Sequence, residues 1–288
     1  MIQSRGEKIF GAINVALLTL LSISMLAPLL HVLAKSISNE AAVMAGDVIL
    51  WPIGFTLETY RVVLGTHDFW QSFQVSVFIT TVGTMLHVLV MSMAAYPLSR
   101  PYLWGNRVLT FLFVFTMMFS GGLIPTYLVV RSLGLIDKVW ALILPGLVST
   151  FNLIILRNFF ASLPDALEES AKLDGASNLA IFFRIFFPLS MPAVATVCVY
   201  TAVGFWNAYF GALIYINRKS LFPLSLYLRK IVLEMDTQLV NLNPEMANLN
   251  PESVRSATIF AATLPILLVY PFLQRYFVKG VILGAVKG

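Results

Sequence analysis

The residues in this chain that could do chemistry are concentrated in one polar segment, residues 162–187, which lies between two long apolar stretches. At its centre, acidic and small residues follow one another, and a proline comes directly after it: Glu169, Ser170, Ala171, Asp174, Gly175, Ala176 and Pro188. Carboxylates near a helix start are favoured by the positive end of the helix dipole, and small side chains let a partner's backbone approach closely. The pattern predicts a short helix that docks into a groove on a partner and transmits motion as a rigid lever. An ordinary interfacial loop helix is the alternative.

Local signals divide this segment into two predicted helices. Ser162 with Asp165 fits a helix-start box, and the intervening proline suits the first turn. Gly175 is a typical helix stop, and Ser177 can cap a second helix before the prolines that follow.

A second group of polar and aromatic residues lies within the apolar stretches: Asn152, Trp206, Asn207 and Tyr209. Polar groups beside aromatic rings can form hydrogen bonds with a polar substrate and stack against it, so these four are candidates for lining a substrate pathway. Uncharged polar groups in a bilayer usually face the bundle interior or another helix. For Asn152 and Asn207, packing between helices is therefore the favoured alternative.

The residue types give little support for ATP binding, metal binding, catalysis or nucleic-acid binding by this chain. The chain has no Gly-x-x-x-x-Gly-Lys-Ser/Thr loop to hold ATP phosphates, and its one cysteine, Cys198, leaves no cysteine cluster for zinc. His87 has no nucleophile partner by motif, and no basic run exceeds two residues. We predict no catalytic residue, no metal site, no bound cofactor and no nucleic-acid partner.

The elements that position these residues are predicted to be membrane-spanning helices. The chain of 288 residues is 58% hydrophobic and 11% charged, too little charge to cover a water-facing surface. Crossing the hydrocarbon core takes roughly 20 helical residues. Six apolar stretches qualify, and together they predict a single all-α transmembrane domain over residues 1–288: about 9–34, 72–98, 108–130, 139–156, 189–216 and 256–277.

The charges give this domain an orientation in the membrane. Six spans place both termini on one side, which then holds ten Lys and Arg residues against nine on the other. The ten lie mostly in short loops, which dominate the positive-inside rule, so both termini are predicted to be cytoplasmic. The first stretch exceeds the 7–15 residues of a signal-peptide core, and we expect it to be retained rather than cleaved.

The run Glu169–Ala176, followed by Ile185, Pro188 and Pro192, resembles the "EAA" signature of the permease subunits of type I ABC importers. Ser170 replaces the middle alanine of that pattern, a change between two small residues. The stretches Phe119–Tyr127, Ala141–Gly146 and Tyr270–Gly288 are similar to the carbohydrate-uptake group of these permeases, in particular to subunits for complex and acidic oligosaccharides such as the alginate importer.

The resemblance implies a function and a set of partners. Residues 162–187 would be the cytoplasmic coupling segment, held in a cleft of an ATPase subunit that carries the ATP and Mg. The importer would also need a second, homologous permease subunit, a second ATPase subunit and an extracytoplasmic binding protein that delivers the oligosaccharide, with the whole assembly in a bacterial inner membrane. An ion-coupled secondary transporter is the alternative, but it would require charged residues in mid-span. An intramembrane enzyme would require a catalytic pair.

Overall fold

The computed structural model describes residues 5–234 and 249–285, and every regular element in these ranges is a helix. The predicted all-α class is confirmed. The α-helices are α1 (Arg5–Ser36), α2 (Glu40–Ala45), α3 (Glu58–Gly65), α4 (His67–Leu98), α5 (Asn106–Met118), α6 (Leu123–Ser132), α7 (Trp140–Ile143), α8 (Thr150–Ala161), α9 (Ala166–Leu173), α10 (Asn178–Ile181), α11 (Phe187–Leu189), α12 (Met191–Asn207), α13 (Phe210–Tyr215), α14 (Leu224–Glu234) and α15 (Pro251–Ala285). Two 3-10 turns (Leu144–Gly146 and Lys219–Leu221) and one π-helical segment (Phe182–Phe186) complete them.

Three of these helices are long and apolar enough to cross a membrane unbroken: α1, α4 and the first part of α15. Three further apolar units are bent pairs: α5 with α6 at 112°, α7 and its 3-10 turn with α8 at 51°, and the stretch from α10 to α11 with α12 at 80°. If each bent pair is one span, the described residues hold up to six spans, the number that hydrophobicity predicts.

The bends differ from the continuous helices expected over 108–130, 139–156 and 189–216. Gly122 begins α6 with φ +84°, a left-handed conformation that favours glycine and turns the chain. Pro145 lies in the 3-10 turn, and Ser149 then caps α8 by accepting a hydrogen bond from the Asn152 N–H. The stretch 189–216 is also divided, because α12 ends at Asn207 and α13 begins at Phe210.

The last helix, α15, contains Pro265 and Pro271 and continues through both. The kinks expected at these prolines remain a prediction. The backbone is described to Ala285, so the final residues of the C-terminal stretch similar to sugar permeases lie outside the described residues.

The chain divides into two compact units, Met1–Phe69 with Leu228–Leu264 and Trp70–Tyr227 with Pro265–Gly288. In the first unit, Ala34 packs with Ala42, Val43 and Val48, and Lys35 forms a 2.8 Å ion pair with Glu252.

The core of the second unit is aromatic where the polar segment joins it. Tyr96, at the end of α4, has its ring centroid 5.1 Å from that of Phe186 and 6.1 Å from that of Phe160. Phe160 and Phe182 are 6.2 Å apart. This cluster ties the ends of α4 and α8 to the π segment, and α9 lies between α8 and that segment in the chain.

Candidate functional site

The docking helix of the polar segment is α9, and it begins later than the sequence predicts. Ser162 ends α8 instead of starting α9, and its hydroxyl donates to the Phe159 carbonyl at 2.7 Å. Asp165 occupies the cap position of α9 but makes no side-chain cap hydrogen bond. Its carboxylate pairs with the Arg100 guanidinium at 3.2 Å. The predicted Ser162–Asp165 start is therefore wrong, because a contact distant in sequence takes the capping carboxylate.

The predicted end of α9 is confirmed. Gly175 has φ +80°, and its N–H donates to the Lys172 carbonyl at 3.0 Å. The Ala176 N–H donates to the Ala171 carbonyl at 2.9 Å, which completes a left-handed helix end. Ser177 then caps the next helix as predicted, accepting from the Ala180 N–H at 3.3 Å.

The two faces of α9 differ sharply. Glu169, Ser170 and Asp174 are exposed, and Leu173 is 89% exposed. Ala171 is buried against the aromatic core and Ala176 is half-buried beside it, while Pro188 is exposed further along. The small pair Ser170 and Ala171 is thus divided, with the serine directed outward and the alanine packed inward. The exposed face thus carries the carboxylates of Glu169 and Asp174 beside one large apolar side chain, Leu173, which suits docking into a partner.

Sequence reasoning missed the buried charges beneath this helix. Arg100, in the link after α4, is 2% exposed, and its Nε lies 3.3 Å from Oε2 of Glu168, a side chain that is 5% exposed. Its Nη2 donates to the Phe160 carbonyl at 3.1 Å. No local signal reveals this cluster, because Arg100 resembles an ordinary charge at the edge of a span and the partners named here lie sixty or more residues away.

The charge of Glu168 is stabilised by three neighbours. Burial raises its pKa, but hydrogen bonds from Lys172 (2.7 Å) and Tyr102, with the positive charge of Arg100, outweigh burial and leave the pKa below its ordinary value. Burial and the hydrogen bond to Glu168 raise the pKa of Tyr102. Hydrogen bonds with Glu168 and Tyr102 raise the pKa of Lys172. These shifts favour an ionised carboxylate, a protonated phenol and a charged lysine.

Asn152 lies in a buried polar cluster. Its Nδ2 is 2.9 Å from His87 Nε2 and donates to Thr201 Oγ1 at 3.3 Å, while His87 Nδ1 is 3.0 Å from the Gly146 carbonyl oxygen. An amide nitrogen can only donate, so Nε2 accepts and the proton of a neutral ring is on Nδ1. These bonds join α4, α8 and α12 at the break beside Gly146, in agreement with the packing alternative for Asn152.

The other three pathway candidates lie at the break between α12 and α13. Trp206 is half-buried and meets Phe73 edge-on, with ring centroids 6.1 Å apart. Asn207 and Tyr209 are exposed, and Asn207 Nδ2 donates to the Val203 carbonyl at 3.0 Å. These three are neighbours along the chain, and Asn152 lies in a different cluster.

The comparison with protein families agrees with an all-helical chain that carries a short helix with exposed acidic residues. A family described as "Binding-protein-dependent transport system inner membrane component" matches residues 75–283, well over half of the chain. The chain belongs to this family. It is therefore a multi-pass membrane component of a binding-protein-dependent ABC importer, and the resemblance drawn from Glu169–Ala176 is confirmed.

Two curated relatives of this permease come from Bacillus subtilis (strain 168). It is 44% identical to the polygalacturonan/rhamnogalacturonan transport system permease protein YtcP, over 98% of this chain and 99% of the relative. It is also 44% identical to protein LplC, over 100% of this chain and 98% of the relative.

A solved structure has the same fold. One chain of the crystal structure of a bacterial ABC transporter involved in the import of the acidic polysaccharide alginate superposes on the permease with a TM-score of 0.90. The two are 34% identical, and the match covers 96% of this chain and 99% of the other.

Proposed function

We propose that this permease is one half of the membrane channel of an ATP-driven importer for acidic oligosaccharides. The observation that carries the proposal is α9, a short helix with an exposed acidic face and a buried ionic base, in a chain of this family. A helix built in this way can receive force from a partner and pass it into the bundle.

The proposal includes the remaining members of the assembly. A second, homologous permease subunit completes the channel, two ATPase subunits hold ATP and Mg, and an extracytoplasmic binding protein delivers the sugar. The chain itself catalyses no reaction and binds no cofactor. Glu169, Ser170 and Asp174 are proposed to contact the ATPase, and Gly175 supplies the turn that ends α9.

The proposed mechanism is alternating access. ATP closes the ATPase dimer, the two coupling helices move together, and the bundle opens outward to accept the sugar. Release of ADP reverses the movement. This requires α9 and both termini to be cytoplasmic, as the short positively charged loops indicate.

The substrate class rests on the relatives. One B. subtilis relative is named for polygalacturonan and rhamnogalacturonan, and the solved transporter imports alginate; both names refer to acidic polysaccharides. Trp206, Asn207 and Tyr209 are proposed to contact the sugar, because a half-buried ring beside exposed hydrogen-bonding groups offers both modes of sugar binding. Asn152 remains a candidate, although its Nδ2 already forms hydrogen bonds with His87 and Thr201 within the bundle.

Reconstitution of the assembled complex with its binding protein tests the proposal. In proteoliposomes, we expect acidic oligosaccharides to stimulate ATP hydrolysis and uptake, and neutral oligosaccharides of equal length to have little effect. Trp206→Ala should lower uptake in an intact complex, whereas Trp104→Ala, at a ring that is 95% exposed outside the proposed pathway, should not. Stimulation by neutral sugars alone would contradict the acidic substrate, and no stimulation by any oligosaccharide would contradict the function.

A further inference from the structure

A single buried guanidinium joins four segments of the second compact unit. Arg100 pairs with Asp165 and Glu168 at the start of α9, donates to the carbonyl of Phe160 at the end of α8, and lies over the ring of Phe186 in the π segment, 4.3 Å from its centroid. Its own position is fixed by the end of α4, where it also faces the Tyr96 ring at 5.3 Å. The charge is therefore at the point where the coupling helix meets three membrane helices.

Two more side chains of the cluster strengthen the same junction. Tyr102, in the link that follows α4, donates its hydroxyl hydrogen to Glu168 Oε1. Lys172, one turn further along α9, lies 2.7 Å from the same Oε1 and 4.5 Å from the Tyr102 ring centroid. The link after α4 therefore contacts both carboxylate oxygens of Glu168 in α9: Arg100 lies at Oε2 and Tyr102 at Oε1.

The chain alone would not make α9 move with α4. Along the chain, α9 is joined to α8 and α10 by short connections, and the second of these turns through the left-handed Gly175. No short connection joins α9 to α4, because two apolar units, α5 with α6 and α7 with α8, lie between them in the chain. The charged cluster supplies a connection that sequence order does not.

The burial of the Arg100–Glu168 pair makes this connection resistant to separation. Removing one partner of a buried ion pair leaves an uncompensated charge, so the groups separate only at high cost. The planar arginine fork also fixes its partners in direction, which a lysine ammonium does not. A cluster with these properties keeps its geometry while the elements it joins are displaced together.

We propose that Arg100 is a positioning residue that makes α9 and the adjoining ends of α4, α8 and the π segment one rigid body. Force received at α9 then reaches three spans simultaneously, instead of passing only along the chain. This inference rests on the proposed importer function and adds to it the route by which ATPase movement opens the bundle.

The test measures coupling rather than assembly. In the reconstituted complex, Arg100→Lys keeps the charge and loses the fork. We expect the sugar delivered per ATP hydrolysed to fall in complexes of wild-type stoichiometry, while ATP hydrolysis itself continues. The matched control is Arg107→Lys, the same change at an exposed arginine in the first turn of α5, which should leave the ratio unchanged.

A second variant controls for the possibility that Arg100→Lys acts only through a folding defect. Arg100→Gln with Glu168→Gln removes the central pair without leaving a lone buried charge there, and it should uncouple transport in the same way. An unchanged sugar-to-ATP ratio in both variants would overturn the proposal. A loss of assembly in both, with an unchanged ratio in the complexes that remain, would also overturn it, because the cluster would then serve folding alone.

A third variant separates this inference from the proposed function. Glu169→Lys should reduce the amount of ATPase that co-purifies with the permease, because it reverses a charge on the exposed docking face. Normal co-purification in Glu169→Lys would count against the docking role. Reduced co-purification in this variant, together with normal coupling in the Arg100 variants, would leave docking intact and remove only the role of Arg100.

Discussion

Two adjacent glutamates in α9 have opposite environments, and the difference defines the site at the residue scale. Glu169 is exposed on the docking face, while Glu168 is 5% exposed and is held by Arg100, Lys172 and Tyr102. The sequence predicts negative charge at this helix start from the dipole alone. It cannot say which carboxylate faces inward, because that depends on where the link after α4 places Arg100.

The lowered pKa of Glu168 predicts a specific dependence of stability on pH. A carboxylate whose pKa is lower in the folded state adds stability that is complete above its unfolded value, about 4.3, and is lost as pH falls through the folded value. Glu168→Gln lacks this contribution. We therefore expect the wild-type complex in detergent to melt at a higher temperature than Glu168→Gln at neutral pH, and the gap to narrow in acid.

Thermal melting of both proteins from neutral pH down to about pH 3, below the usual glutamate range, measures this gap. The comparison of the two proteins at each pH removes the effect of the carboxylates that they share. A gap that stays constant or widens in acid would show that Glu168 is not stabilised as an ionised group.

At the element scale, the helical composition and the turn from α9 into α10 were predictable, whereas the start of α9 and the helix breaks were not. Gly175 and Ser177 act through neighbours within a few residues, so their roles follow from the sequence. Hydrophobicity also located the apolar stretches. It gave no sign that α5 turns by 112° into α6, because Gly121 and Gly122 lie within a stretch that is apolar on both sides. The His87–Asn152–Thr201 cluster was equally hidden, since its members come from three different helices.

A close approach of helices gives a prediction at the same scale. A Cβ added to Gly83 in α4 would lie 2.9 Å from the Phe205 ring of α12, and one added to Gly146 would lie 3.3 Å from the same ring. We expect Gly83→Ala to destabilise the permease by about 1–3 kcal/mol, the usual cost of an overpacked core. Denaturation of the purified permease in detergent measures the change.

Gly204→Ala is the matched control for this prediction. Gly204 is adjacent to Phe205 in α12, and nothing lies within 4 Å of the site that its Cβ would occupy. Alanine there should be neutral or slightly stabilising, because it reduces the freedom of the unfolded chain. Equal stability of Gly83→Ala and Gly204→Ala would contradict the close packing of Phe205 against α4.

At the scale of the whole molecule, the account depends on the side of the membrane on which α9 lies. Ten positive charges against nine give only a slight bias, and the argument from short loops decides the direction. Family membership places the chain in the inner membrane but leaves the terminal orientation as a prediction. The docking segment could be identified from the sequence because its signature is local. The orientation of the chain in the membrane depends on the charges of all the loops together.

The most direct test of the docking role is the accessibility of a cysteine at position 173, whose leucine is 89% exposed on α9. Leu173→Cys would be made in a chain whose one native cysteine is removed by Cys198→Ala. A membrane-impermeant maleimide should label inside-out vesicles freed of ATPase subunits, fail to label right-side-out vesicles, and fail again once the ATPases rebind. Labelling from the outside, or labelling that bound ATPase leaves unchanged, would contradict a cytoplasmic lever held by the ATPase.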